Sequence, residues 1–393
     1  MLFIQPFCLL RFFLCSQYSE KSYSCKDKQR CRKISAESFA ISRSLSKMHD
    51  EQGEEMIHIE QRTLGTSALV VPALGIGTMS WGERMMGYDK THTRDDVTLA
   101  YRACLDASLN FFDTAEGYGM GENERLLGEC RSRDDRPAIL ATKYAPASLF
   151  APLPTRFSPR ALLKSLDRSL QRLGVERIDL YQIHFPTSAD RVDALMDVLA
   201  EAVQAGKVRA VGVSNYSASL MRRAHARLAR HGIPLASNQV HYNLLHRYPE
   251  TNGVLDACRE LHVALIAYSP LEQGILSGKY RTTSQSKPLT LRIISAISPR
   301  DPFGEMEGAS YGRRDLRREK LEPLFMVLEE IANAYEKTIP QVAINWLLTK
   351  DPCILPIPGA KNARQASQNA GALGWRLTEE EHACISQAEV ASR

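Results

Sequence analysis

Three successive apolar runs lead into side chains able to hold or move a proton. Asp113 closes the run in FFDTAEGYG, Tyr118 stands five residues further along the same segment, Lys143 closes ILATK, and His184 closes LYQIH. Each has an ordinary structural reading when taken singly. Asp113 can cap a turn or helix, Tyr118 can be a half-buried phenol, Lys143 a surface amine and His184 a satisfied core histidine. Together they form a proton-donating set. A free phenol has a pKa of about 10, so Tyr118 needs help to act as a general acid at neutral pH. A neighbouring Lys143 ammonium favours phenolate and lowers the Tyr118 pKa, Asp113 holds that ammonium charged and oriented, and His184 hydrogen-bonds the same carbonyl oxygen. An acid poised over a carbonyl calls for a hydride donor beneath it. Metal chemistry is not expected, because the chain has no H-E-x-x-H or C-x-x-C and no His/Asp/Glu cluster supplying three ligands at the run ends.

Positioning these groups requires the elements around them. From Ile57 onward, short β-branched runs alternate with amphipathic stretches of helical length, punctuated by Gly, Pro, Ser or Asn. The runs are Ala73–Gly77, Asn110–Asp113, Ala138–Lys143, Ile178–His184, Val208–Ser214, Leu235–Val240, Ala264–Tyr268 and Ile354–Pro356. Between them lie helical stretches at Arg94–Ala107, Glu124–Cys130, Pro159–Leu173, Arg191–Gln204, Ala218–Arg230, Gly253–Leu261, Leu316–Glu336 with Pro340–Leu348, and Ala363–Ala370. Ser158 and Pro159 suit a helix start, and Gly174 suits its end. Repeated β–α units of this kind predict an α/β fold, a single parallel (β/α)8 TIM barrel whose active site lies at the strand C-terminal ends. A doubly wound sheet fits less well, since the first strand ends in Gly75-Ile76-Gly77-Thr78 without the third glycine of a dinucleotide fingerprint. Two alternating runs around Gly65-Thr66-Ser67 predict an N-terminal β-hairpin closing the barrel bottom. The polar, Pro/Gly-punctuated segment Tyr280–Arg314 after the seventh strand predicts a long loop acting as a lid.

The chain has 393 residues, 44% hydrophobic and 24% charged, which excludes intrinsic disorder for most of it. Its formal charge of +5 is concentrated in residues 1–48, where nine Lys/Arg face three acids. The rest is almost neutral and carries no footprint for nucleic acid. The apolar opening MLFIQPFCLLRFFLC is too short to span a bilayer, so no membrane anchor is expected. Residues 1–48 are rich in Ser, Lys and Arg and resemble a chloroplast (plastid) transit peptide. A secretory signal, or a true start at Met48 or Met56 with a cytoplasmic product, are the alternatives. The expected division is a targeting segment over 1–48 and a barrel over 57–393. Cys104, Cys130, Cys258, Cys353 and Cys384 are scattered and read as inert thiols in a reducing compartment.

Carried by LGIGTMSWG, NFFDTAEGYGMGENERLLGE, ATKY, RIDLYQIHFP, GKVRAVGVSNYS, NQVHYNLL, AYSPLEQGILSGKY and PIPGAKNARQASQNAGALGW, the chain from Leu64 to Glu389 resembles the aldo-keto reductase family. The SNYS, AYSPL and GALGW segments look most like its plant plastid-targeted, pyridoxal-reductase-like members. The resemblance implies a catalytic tetrad of Asp113, Tyr118, Lys143 and His184, with NADPH as cofactor and a small carbonyl compound as substrate. It also implies cofactor contacts from Gly77, Thr78, Met79 and Asp113, with Ser214, Asn215 and Gln239 on the nicotinamide carboxamide and Tyr268 stacked on its ring. Ser269, Pro270, Leu271, Gly274 and Lys279 resemble the loop over the pyrophosphate, and Gly359, Lys361, Arg364, Gln365, Gln368 and Asn369 resemble the segment around the adenosine phosphate. Many relatives carry Arg where this chain has Gln365, so a preference for the 2′-phosphate falls to Lys361 and Arg364. Potassium-channel beta subunits share the fold and tetrad, which makes a cofactor-binding regulatory subunit the alternative. A short-chain dehydrogenase is excluded, as no tyrosine here is followed four residues on by lysine. Trp81, Met85, Tyr144 and the 280–314 loop are expected to shape the substrate pocket.

Overall fold

The computed structural model describes residues 59–146, 159–279 and 318–390. The proposed targeting segment, Ser158 and the expected lid lie outside these residues. A hairpin of β1 (Gln61–Thr63) and β2 (Val70–Pro72) precedes eight parallel strands: β3 (Ile76–Gly77), β4 (Phe111–Asp113), β5 (Ile139–Tyr144), β6 (Ile178–Ile183), β7 (Val208–Ser214), β8 (Leu235–His241), β9 (Ala264–Tyr268) and β10 (Ile354–Ile357). These strands are neighbours in sequence order throughout. Gly75 N donates to Pro356 O at 3.1 Å and Gly77 N to Pro358 O at 3.0 Å, joining the first strand to the last and closing the TIM barrel. The expected first strand, Ala73–Gly77, is shorter in the structure because Ala73 N still bonds back to Glu60 O at 2.8 Å beside the hairpin.

Helices cover the outside: α1 (Arg94–Asp106), α2 (Glu122–Ser132), α3 (Pro159–Leu173), α4 (Ala189–Gln204), α5 (Ala218–Ala229), α6 (Val254–Glu260), α7 (Arg318–Ala334), α8 (Ile339–Lys350), α9 (Ala363–Ala370) and α10 (Glu379–Val390). The first shows why these segments are helical. Thr93 and Asp96 cap each other's backbone amides, and Val97, Ala100, Tyr101, Cys104 and Leu105 recur at helical spacing on its buried face. The last was missed in the sequence because its buried apolar face is reduced to Ile385 and Ala388. Its start was nevertheless legible, since Thr378 and Glu381 form a reciprocal cap: Thr378 N donates to Glu381 Oε2 at 2.9 Å and Glu381 N to Thr378 Oγ1 at 3.2 Å.

Strand alternation sorts the side chains into two apolar layers. Phe111, Ala141, Leu180, Ala210, Ala236, Ala264, Ile266, Leu355 and Ile357 fill the barrel interior, and Leu64, Leu69 and Val71 of the hairpin plug its lower end. Burying each large aliphatic side chain contributes about 1.5–3 kcal/mol. Gly65 makes the plug possible. It has φ +59°, and a Cβ there would lie 2.7 Å from His262 O and 2.9 Å from Ala236 O. Leu140, Phe112, Tyr181, Ile183, Val211 and Val213 face outward under the helices. Cys104, Cys130 and Cys258 are buried free thiols, the first pushed up to about 12 by burial. Among the described residues no helix is long and apolar enough to cross a membrane.

Candidate active site

Above the apolar plug the inward-facing positions turn polar. Asp113, buried at the end of β4, is the centre of this layer. Its Oδ1 accepts from Lys143 Nζ at 2.5 Å, and its Oδ2 accepts from Gln239 Nε2 at 3.0 Å and from Gln182 Nε2 at 3.3 Å. Lys143 is fully buried and donates also to Thr114 O at 2.8 Å. Burial alone would lower the Lys143 pKa, but the charges and hydrogen bonds of Asp113 and Tyr118 outweigh it and raise the pKa above 10.5. Gln182 escaped the sequence reading. The signal was its parity: it follows inward-facing Leu180 by two, a polar residue in an otherwise apolar strand. Gly212 leaves room for it, since a Cβ there would collide with the Ser237 hydroxyl and press on Gln182 Cγ at 3.1 Å. The register between β7 and β8 slips here, with Val211 opposite Leu235 but Gly212 opposite Ser237. That bulge leaves Ala236 unpaired in the interior layer and lets Ser237 and Gln239 face inward as well.

Tyr118 reaches this layer from the loop after β4. Its ring centroid lies 5.2 Å from Lys143 Nζ, and the His184 ring stands edge-on to it at 5.7 Å. Burial pushes the Tyr118 pKa up, while Lys143 acts to bring it down. The net direction is upward, which corrects the expectation that Lys143 would dominate: water is removed from the phenolate faster than one ammonium compensates. His184 lies one residue beyond β6, with its N–H on Tyr144 O at 2.8 Å and its ring stacked on Phe185 at 4.3 Å. Burial, and then Lys143, hold the His184 pKa well below 6.5, so the imidazole is neutral. Its Nδ1 is buried without a hydrogen-bond partner.

Two glutamates hold the Tyr118 loop. Glu116 accepts from Ala145 N at 2.9 Å and from the Ser165 hydroxyl of α3. Glu83 accepts from Gly119 N at 2.9 Å and from Met85 N at 3.1 Å. Both were overlooked in the sequence, because their partners come from distant segments. Gly119 has φ +54°, and a Cβ there would lie 2.7 Å from Gly82 O, so the two loops touch through backbone.

The residues expected around the cofactor line the same rim unevenly. Ser214 donates to Gln239 O at 2.8 Å. Asn215, left-handed at φ +63°, donates to His184 O at 3.1 Å and accepts from the Tyr268 hydroxyl at 3.0 Å. The Thr78 side chain is fully buried, its hydroxyl a donor 2.9 Å from Asp113 O and 2.8 Å from Asn123 Oδ1, which braces β3 against β4. Met79 is exposed, and Gly77 pairs with exposed Gly359, whose carbonyl receives Asn369 Nδ2 at 3.1 Å. Ser269, Leu271, Gly274 and Lys279 belong to the loop after β9, together with buried Pro270. At the start of α9, Gln365 accepts from Lys361 N at 2.8 Å, a capping role that accounts for an uncharged side chain there. Lys361 Nζ donates to Met86 O at 2.6 Å, Arg364 is exposed, and the half-buried Gln368 offers its carbonyl to Gln341 Nε2 at 2.9 Å. Trp81 is fully buried with its indole N–H on Ala360 O at 2.7 Å, and Tyr144 is buried in the apolar layer under the helices. Met85 is exposed.

A model of the aldo/keto reductase family matches residues 73–390. The chain is 34% identical over 320 residues to the chloroplastic pyridoxal reductase of Arabidopsis thaliana, covering 80% of this chain and 82% of that protein. It is 32% identical over 329 residues to yakc of Schizosaccharomyces pombe, named an NADP(+) aldo-keto reductase, covering 82% of this chain and 88% of that protein. Its fold is similar to that of the glycerol dehydrogenase of Gluconobacter oxydans, with a TM-score of 0.68, 28% identity and coverage of 85% of this chain and 95% of that one.

Proposed function

The chain belongs to the aldo/keto reductase family, and from that premise we propose that it is an NADPH-dependent reductase converting an aldehyde or ketone to an alcohol with Tyr118 as proton donor. The observation that carries the proposal is the burial of Lys143 between the Asp113 carboxylate and the Tyr118 ring, with His184 against the same ring. When bound, NADPH supplies the hydride. His184 is neutral, and a proton on its partnerless Nδ1 would be buried without an acceptor, so the proton resides on Nε2 and is available to the carbonyl oxygen. Tyr118 keeps its proton at neutral pH and releases it to the alkoxide, with Lys143 stabilising the developing phenolate. The test is a panel of carbonyl compounds, including pyridoxal and sugar and lipid-derived aldehydes, followed by NADPH oxidation. Turnover of at least one is expected. NADPH binding without turnover of any would favour a regulatory subunit.

The α9 end of the rim fits a phosphorylated cofactor. Lys361 is a half-buried ammonium whose pKa is lowered by burial and by Lys279 nearby, at a helix start where free amides favour an anion. A 2′-phosphate there relieves that strain and draws in Arg364. Replacing Lys361 by Ala should weaken NADPH binding by about ten- to a hundredfold, and Arg364→Ala, being exposed, by about tenfold. NADH affinity, measured in the same titrations, should change little. An equal loss for both cofactors would show that the two residues only support the loop.

Residues 1–48 are proposed to direct the protein to plastids, supported by their basic, serine-rich composition and by the chloroplastic relative. Fused to a fluorescent reporter, they should carry it into plastids. A cytosolic or secreted reporter would overturn the assignment without touching the enzyme.

A further inference from the structure

The loop after β9 is fastened by a half-buried carboxylate that the catalytic set does not use. Three non-glycine residues of this loop, Ser269, Glu272 and Gln273, have φ of 52°, 45° and 53°. Such left-handed backbone persists only where the surroundings hold it. Glu272 Oε2 accepts from His241 Nε2 at 2.9 Å and from Asn243 Nδ2 at 2.7 Å, and Asn243 Nδ2 also reaches Ser269 O at 2.9 Å. Burial would raise the Glu272 pKa, but His241, Asn243 and His246 outweigh it and bring the carboxyl down to about 2. His241 in turn stacks on two rings, 4.0 Å from His246 and 5.2 Å from Tyr268. The end of β8 and the turn after it therefore hold this segment at two points: the loop through Glu272 and the Tyr268 ring through His241.

We propose that Glu272, acting through His241 and Asn243, is a positioning residue that latches the Ser269–Lys279 loop and the Tyr268 ring in the shape NADPH requires before NADPH arrives. This rests on the proposed role of that loop and of Tyr268 in holding the cofactor. Without the latch the loop samples ordinary backbone conformations, and cofactor affinity falls by the fraction of molecules still in the competent shape.

Amide hydrogen exchange on the full-length, cofactor-free protein reads the latch directly. The reporters are the N–H groups of Glu272, Gly274 and Gly278, which bond Ser269 O at 2.9 Å, Leu271 O at 2.9 Å and Ile275 O at 3.1 Å. In Glu272→Ala these should exchange at least about tenfold faster, with β5 and β6 amides unchanged. NADPH affinity should fall by about 10- to 100-fold, with a smaller change in kcat at saturating NADPH. Glu272→Gln, which keeps an acceptor oxygen without the charge, should fall between, and it carries the test if the alanine variant does not fold. Loop exchange and NADPH affinity within twofold of wild type in both variants would overturn the latch. Faster loop exchange in a protein whose wild type binds no NADPH would overturn the cofactor assignment instead.

Discussion

Tyr118→Phe is expected to lower carbonyl turnover by about 10²–10⁴-fold, the contribution of a placed general acid, while NADPH affinity stays nearly unchanged. The substitution removes one oxygen and keeps the ring against Lys143 and His184. Near-wild-type kcat in this variant would reject Tyr118 as the donor. The pH profile adds a second check. Burial raises the Tyr118 pKa above 10, so the acid form is complete at neutral pH and reduction should decline only as pH climbs into the alkaline range. A decline centred near neutrality would point to another donor.

Lys143→Met should cost comparable activity and much of the protein's stability. With the ammonium gone, the phenol loses a cation that eases its ionisation, so its pKa rises further and it becomes a poorer acid. Among the described residues Asp113 is left as a buried carboxylate with Gln182 and Gln239 as its side-chain donors, and breaking a buried pair of this kind costs about 3–5 kcal/mol. Denaturant melts and steady-state assays separate the two effects. Lys143→Met with Asp113→Asn should recover much of the stability, since no buried charge remains, but none of the turnover. Recovery of turnover would mean that Lys143 serves only to neutralise Asp113. The Lys143 pKa is raised in the fold, so its stabilisation is complete below the ordinary lysine value of 10.5 and is lost as pH rises through the raised one. The stability deficit of the single variant should accordingly be full at neutral pH and shrink in strong alkali.

Much of the architecture was legible because it rests on local signals. Short β-branched apolar runs, helices with caps and a stripe of apolar residues, and a glycine turn all report on neighbours within a few positions. They were enough to place Asp113, Lys143 and His184 at or just beyond successive strand ends and to order the β–α units. Other features were not legible. Whether a large side chain such as Trp81 or Tyr144 faces the mouth or the helix layer depends on what packs over it. Helix α10 was overlooked because it contributes little apolar surface, although its Thr378–Glu381 cap was visible.

Which groups meet across the barrel was decided by tertiary structure alone. The partners of Asp113 come from β5, β6 and β8, and the sequence spacing between Asp113 and Gln239 carries no record of a 3.0 Å contact. The bulge at Ala236 sharpens the point: one unpaired residue turns Ser237 and Gln239 inward, where unbroken alternation from Ala236 would point them out. The same holds for electrostatics. Residue types identified the charges, but the upward shift of Tyr118 and the neutral state of His184 follow from how far the assembled barrel rim shields them from water, a property of the packed layers and not of any segment.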